Sequence, residues 1–564
     1  MADITLGVLG LVGTVVACYK GYDRFIAAEH DDRLRRFYQS LEHERREFRG
    51  FWEFLELDLE KESCLGYERQ PEPTKKKILQ LTNEIRLLLE DTEKLATRYM
   101  CEKKYNEDGK SRLTFPEMVE AHQATTQIRS ITQQSGRDTP HGAKNSLRGN
   151  FRWALKDQEK SKELVESLGK FNQHLKSTLS REEQTLQSMG NLALLFSNAR
   201  SREELRARLN AFDQPTNEET RLWADINNLR EAVRAGEPTE PLPSYLKERD
   251  FKTTADIGIS ESGFSRYQIG RLMTQKGLRE VVVEFKKLGD DWTHSTKETV
   301  KDRARNLMAH LSGHLSMNLK ILKSAGVFQK DELFIGLVYF LPRGISVTSK
   351  DPNVCSLATL LKTKTSAPRP PYSLTQRVRL AQALTEAILH LHSANWLHKQ
   401  IRPENIFFGR RGSESPWDIT EPMLLGFDMA RPDKVDESSY NVTALEKKDR
   451  FMDPERHEDA RYRAKYDYFA LGVCLYCILA WERIEKSESR FQKKVDDGQV
   501  MNTPDGWKDF FVPSARDILR FDCGEILVGA VEACLMNDFE FGDGTDNLFS
   551  FFQGVVQPIA GCKV

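Results

Sequence analysis

The chain has almost no net charge, no long hydrophobic run and no cysteine pattern, and each absence removes a class of function. Its 83 Lys and Arg stand against 84 Asp and Glu, a formal net charge of -1 over 564 residues. No bulk electrostatic attraction draws nucleic acid to such a chain, and nucleic acid is not expected as a partner. The nine cysteines (Cys18, Cys64, Cys101, Cys355, Cys474, Cys477, Cys523, Cys534 and Cys562) are scattered and odd in number. They read as reduced thiols of a cytoplasmic protein. Cys474 and Cys477 form a C-x-x-C, but no second Cys or His pair completes a zinc site, so both are expected to pack and no metal is expected. The uncharged run Ile4–Tyr19 holds sixteen residues. That is roughly 24 Å of helix against the ~30 Å hydrocarbon layer, too short for a stable transmembrane span by itself. Asp3 precedes it and no Lys or Arg does, which argues against a secretory signal.

What is present is long enough for two or three domains. In the first half, helical spacing recurs. Leu34, Phe37, Leu41, Phe48, Phe51 and Leu55 line one face between Asp31 and about Lys61. Ile78, Leu81, Ile85, Leu88 and Leu89 do so between Lys75 and about Tyr99, and Leu164, Leu168, Phe171, Leu175 and Leu179 between Asp157 and Leu179. No strand pattern interrupts them, so residues 1–200 are expected to form an all-α bundle. Gly7, Gly10 and Gly13 recur along the apolar N-terminal run, each costing a helix about 1 kcal/mol relative to Ala, so this helix should be only conditionally stable. Residues 201–245 read as a charged helical linker, closed by three prolines between Gly236 and Pro243.

The apolar start Ile4–Tyr19 with Arg24-Phe25, and the later segment from Arg152-Trp153-Ala154 to Lys162-Glu163-Leu164-Val165, resemble the HeLo domain of filamentous fungi. The resemblance implies a helical bundle of the heterokaryon-incompatibility and programmed-death type, in whose characterised members the N-terminal helix enters and permeabilises membranes. Carried onto this chain, the membrane-inserting residues would be Ile4, Leu6, Val8, Leu9, Leu11, Val12, Val15 and Val16. Asp3 and Lys20 bracket that segment rather than interrupt it.

From residue 246 the pattern changes. Val281-Val282-Val283-Glu284-Phe285-Lys286 is strand-like, and Leu333–Leu341 reads as a buried strand ending at Pro342. Ser373 and Gln376 form a capping box that opens a helix with Val378, Ala381, Leu384, Ile388 and Leu391 on its inner face. Strands first and helices later predict a bilobal α+β domain over residues 246–564. In order and spacing these elements resemble a protein kinase. Lys286 matches the lysine that holds the α- and β-phosphates, and His398-Lys399-Gln400-Ile401-Arg402-Pro403-Glu404-Asn405 the catalytic loop, with Asn405 at a magnesium-ligand position. Asp453-Pro454-Glu455 resembles Ala-Pro-Glu, and Asp467 the aspartate that steadies that loop.

Set against this resemblance, the residues that handle proton and metal have gone. Gln400 stands where the base should be, and an amide takes up no proton near neutral pH. Gly426-Phe427-Asp428 stands for Asp-Phe-Gly, so the metal carboxylate is lost at Gly426 and an acid appears instead at Asp428. Ser260, Ser262 and Ser265 align with the three glycines of the phosphate loop. After Lys286, Glu298 comes early for the usual glutamate partner, and Arg303 falls in its place.

The expectation is a pseudokinase that binds no metal, with Lys286, Asn405 and Asp428 left for metal-independent ATP binding. The domain would hold a membrane-targeting bundle in check until an upstream protein signal releases it to form a homo-oligomer on membrane lipids. Such a protein is cytoplasmic with conditional plasma-membrane association. A signalling scaffold without membrane activity and an atypical active protein kinase are the alternatives.

Overall fold

A computed structural model gives the architecture. It describes residues 2–26, 35–108 (apart from 60, 62 and 69) and 158–198. Beyond isolated positions between 226 and 246 it describes 251–562, with breaks at 260–264, 291, 313–319, 330–332, 346, 348–352, 364–369, 433–448, 457–461, 538 and 540–547. The chain forms two compact units, Met1–Asn191 with Arg200–Asp213, and Leu192–Ala199 with Gln214–Val564.

The first unit is built on helices α1 (Ala2–Ile26), α2 (Arg35–Phe54), α3 (Glu72–Asp108), α4 (Gln158–Lys176) and the start of α5 (Arg181–Asn198). Leu11, Val15, Cys18 and Tyr22 recur on one face of α1 and are fully buried. They meet Phe48 and Trp52 of α2, Ile78 and Ile85 of α3 and Leu168 of α4 in one core. Helix α1 is longer than its apolar run, because Tyr22 extends the buried face by a further turn. Helix α2 is shorter than its spacing predicts, and the absence of strands does not hold. Glu56 turns left-handed at φ 58°, and β1 (Leu57–Asp58) pairs antiparallel with β2 (Ser63–Cys64). Gly66 then donates its amide to the Leu55 carbonyl at 2.9 Å, and a Cβ there would lie 2.7 Å from Leu55 backbone.

The second unit opens with a six-stranded sheet of β3 (Tyr245–Leu246), β4 (Phe251–Ile259), β5 (Ser265–Thr274), β6 (Gly277–Lys287), β7 (Ser324–Gln329) and β8 (Phe334–Phe340). The order is β3-β7-β8-β6-β5-β4, parallel only between β3 and β7. Val281–Phe285 of central β6 are all buried, which accounts for the unbroken β-branched run. Helix α6 (His294–His310) packs on β7 and β8.

The rest is helical. Ser373 caps α7 (Leu374–Ser393), accepting from the Gln376 amide while Gln376 reaches back, as the capping box predicts. Helix α8 (Ala464–Ala480) is buried along nearly its whole length, with Cys474 and Cys477 packed as free thiols. Strand β9 (Val354–Ser356), ahead of α7, joins β11 (Ile406–Gly409) and β12 (Met423–Leu424) from between α7 and α8 in one small sheet, and β10 (Trp396–Leu397) pairs with β13 (Arg431–Pro432).

Candidate functional site

The loop His398–Asn405 leaves β10 with Lys399 in the left-handed region at φ 71°. Its anchor is Asp467 of α8. The Asp467 carboxylate accepts the backbone amides of His398 and Lys399, each at 2.8 Å, the Tyr462 hydroxyl at 2.8 Å, and a bond from the His392 ring at 3.1 Å. Burial pushes its pKa up, but the bonds from His392 and Tyr462 and the nearby His398 outweigh that and hold it below the usual value. His398 is fully buried. Burial lowers its pKa to about 4, so the ring is neutral, accepts the Gln400 amide at Nδ1 and packs edge-on to Phe427 at 4.6 Å.

Above this loop the sheet contributes four polar residues. Glu284 of β6, with no solvent exposure, accepts three consecutive backbone amides from Gly426, Phe427 and Asp428 at 3.1, 3.2 and 3.1 Å. Burial and the neighbouring Asp428 charge push Glu284 up to about 7, against the Arg266 guanidinium and those amides. Arg266 of β5 bridges Glu284 at 3.3 Å and makes a closer ion pair with Asp428. For Asp428 burial acts upward as well, and Arg266 with Lys286 brings the net shift below the ordinary value. Lys286 donates to the Asp428 backbone carbonyl. Burial lowers its pKa, and Asp428 and Glu284 oppose that. Tyr267, next to Arg266, donates its hydroxyl to Asn405 Oδ1 at 2.6 Å, and Asn405 Nδ2 donates to the Gln400 carbonyl at 2.6 Å.

The arrangement does not fit a magnesium nucleotide, the group that a kinase fold implies. Such a ligand needs Lys286 on its phosphates and Asn405 with a carboxylate on its metal. Here two cations face two carboxylates within one cluster. Both polar ends of the Asn405 amide are spent inside the protein, and Asn405 and Tyr267 are buried to 0% and 3% exposure. A carboxylate at 426 would be strained and would displace the Asn405 amide. Gly426 has φ +93°, and a Cβ there would meet Asn405 Nδ2 at 2.3 Å.

The structure therefore gathers Lys286, Asn405, Gln400, Gly426 and Asp428 in one place. Arg303 lies close enough to oppose the Lys286 charge, while Glu298 turns away to pair with Lys301 at 2.7 Å. Ser260 and Ser262 fall outside the described residues, and Ser265 begins β5. Sequence reasoning passed over Glu284, Arg266 and Tyr267. A lone carboxylate inside a β-branched run was the available signal for Glu284. Of the candidate membrane residues, Leu11, Val12 and Val15 are buried and Val16 packs partly against the same core. The side chains of Ile4, Leu6, Val8 and Leu9 lie outside the described residues, as do Arg152–Asp157 of the second HeLo-like segment.

Comparison with known proteins divides the chain in the same way. Residues 4–207 match the HeLo family, described as prion-inhibition and propagation. Residues 343–521 match the protein kinase domain, a match that starts just beyond β8. Among similar proteins are human serine/threonine-protein kinase H2, 27% identical over 24% of this chain and 34% of its own, and an apple calcium/calmodulin-dependent serine/threonine-protein kinase, 26% identical over 25% and 32%. A fruit-fly putative mitogen-activated protein kinase kinase kinase 7-like protein is 23% identical over 29% and 37%. The chain thus spans about a third of the length of the relatives it matches. A HeLo domain at the amino end, followed by a protein kinase domain of bilobal α+β fold, is what this chain carries.

Proposed function

We propose that the protein is a cell-death effector or regulator in which a catalytically degenerate kinase domain restrains a membrane-targeting HeLo bundle. On an upstream protein signal the bundle gives up α1, joins other copies and engages membrane lipids, so that a cytoplasmic chain becomes associated with the plasma membrane. The observation that carries this reading is Gly426. Where a kinase places a magnesium carboxylate, this chain has a left-handed backbone against the Asn405 amide, and its base position holds Gln400. A domain that keeps the scaffold without those acids works by shape, through two states that a partner binds unequally.

The bundle supports the same reading. Leu11, Val12, Val15, Cys18 and Tyr22 fill its core, so the same side chains serve either the folded bundle or a lipid phase. At ~1.5–3 kcal/mol per buried side chain, withdrawing α1 costs on the order of 10 kcal/mol, which burial in lipid and self-association would offset. One observation favours a second reading, a signalling scaffold without membrane activity: among the described residues no helix is long and apolar enough to cross a membrane.

Dye release from anionic liposomes separates the two. Residues 1–213, which contain the complete first unit, should release dye, the full chain should release far less, and deleting residues 2–16 should abolish the effect. A fragment that neither binds nor leaks liposomes in any oligomeric state leaves the scaffold reading standing.

A further inference from the structure

We infer that Arg266 and Tyr267 are an intramolecular latch, closing the two lobes of the kinase domain in the place of a nucleotide, so that the domain's state is set without ATP. The inference rests on the pseudokinase reading and adds what does, and does not, control that site.

The two residues are neighbours on β5, and the Arg266 guanidinium lies 5.5 Å from the Tyr267 ring centroid. Arg266 reaches across to Asp428, and Tyr267 to Asn405, the two groups on the helical side that a metal would otherwise approach. Beside them Glu284 takes the three amides of Gly426–Asp428, and Lys286 the Asp428 carbonyl. Six polar contacts thus join the sheet to the segment below it. In an active kinase this bridge is made by phosphates and magnesium, and it comes and goes with the ligand. Here both sides of the bridge belong to the chain.

The cluster is also complete in chemistry. The Arg266 guanidinium pairs with two carboxylates, a charge-assisted arrangement that a triphosphate would have to displace while repelling Asp428 and Glu284. The Tyr267 ring packs edge-on to Phe407 at 4.9 Å, which fixes its hydroxyl over Asn405. Opening the lobes therefore requires a force applied to the protein, from a partner or from the rest of the chain, and a nucleotide supplies none.

The test uses the full chain. Thermal unfolding is followed with millimolar ATP or ADP, with and without magnesium, and hydrogen exchange is read at the amides of Asn405 and Leu425, which bond within this segment, and of Gly426, Phe427 and Asp428. The wild-type chain should shift by less than about 1 °C with any nucleotide, where a ligand at a hundredfold its Kd would shift it by several degrees. Arg266→Gln should raise exchange at those amides by about tenfold or more, since a charge-assisted bond is lost. Tyr267→Phe removes one hydroxyl from an otherwise intact ring and should raise exchange around Asn405, which keeps the test valid if Arg266→Gln fails to fold. A clear nucleotide-induced shift in the wild type, or unchanged exchange in Tyr267→Phe, overturns the latch. If that shift comes without phosphate transfer, the latch alone falls. If transfer accompanies it, the pseudokinase reading falls with it.

Discussion

Restoring the kinase acids should break the domain rather than revive it. The perturbation is Gly426→Asp, alone and with Gln400→Asp. A non-glycine residue held in the left-handed region costs about 1–3 kcal/mol. The new Cβ would stand 2.3 Å from Asn405 Nδ2, so the Asn405 amide must move. That breaks its 2.6 Å bonds to the Gln400 carbonyl and the Tyr267 hydroxyl. Each buried polar group left unpaired adds about 1–3 kcal/mol. Together the loss is about 3–9 kcal/mol, or a fall in Tm of roughly 6–36 °C at 2–4 °C per kcal/mol. Thermal unfolding of the full chain measures it, with magnesium-dependent phosphate incorporation followed in parallel. Gln400→Asp alone, at a half-buried position whose bonds are made by backbone, should change Tm little and gain no activity. A double variant as stable as wild type that transfers phosphate would refute the steric argument at its root.

Other predictions follow the same reasoning. His398 has its folded pKa lowered to about 4 by burial, below the ~6.5 of an unfolded chain, so its contribution is full above pH ~6.5 and is lost as pH falls toward 4. That is on the order of 3 kcal/mol at 1.36 kcal/mol per pKa unit; denaturant unfolding of His398→Phe should be less stable at pH 7.5 but flatter between pH 7 and 4.5, and parallel profiles would contradict it. Asp467→Asn strips a buried carboxylate from two amides, Tyr462 and His392, and should lower stability by about 3–5 kcal/mol in the same assay. Leu11→Ala opens the bundle core where exposure is nil, costing about 2–5 kcal/mol, and full-chain Leu11→Ala should leak liposomes more readily than wild type.

The two-part architecture was legible because its signals are local. The capping box at Ser373, the β-branched run of β6 and the helical spacing of Leu34–Leu55 each specify an element without reference to the rest of the chain. The bounds of α2 were not, because a left-handed Glu56 and a close approach at Gly66 depend on a hairpin two residues long on each side. In the site, the vacated positions Gln400 and Gly426 could be read from the catalytic-loop pattern. What took their place could not. Arg266 and Tyr267 are ordinary strand residues until the fold carries Asp428 and Asn405 beneath them, and Glu284 gains its meaning only from three amides some 140 residues away in the chain.

Phosphate transfer by the full chain tests the account at its centre. Incubated with labelled ATP and magnesium, the wild-type protein should incorporate no more label, into itself or an added protein substrate, than a Lys286→Ala variant. Magnesium-dependent incorporation that vanishes in Lys286→Ala would contradict it.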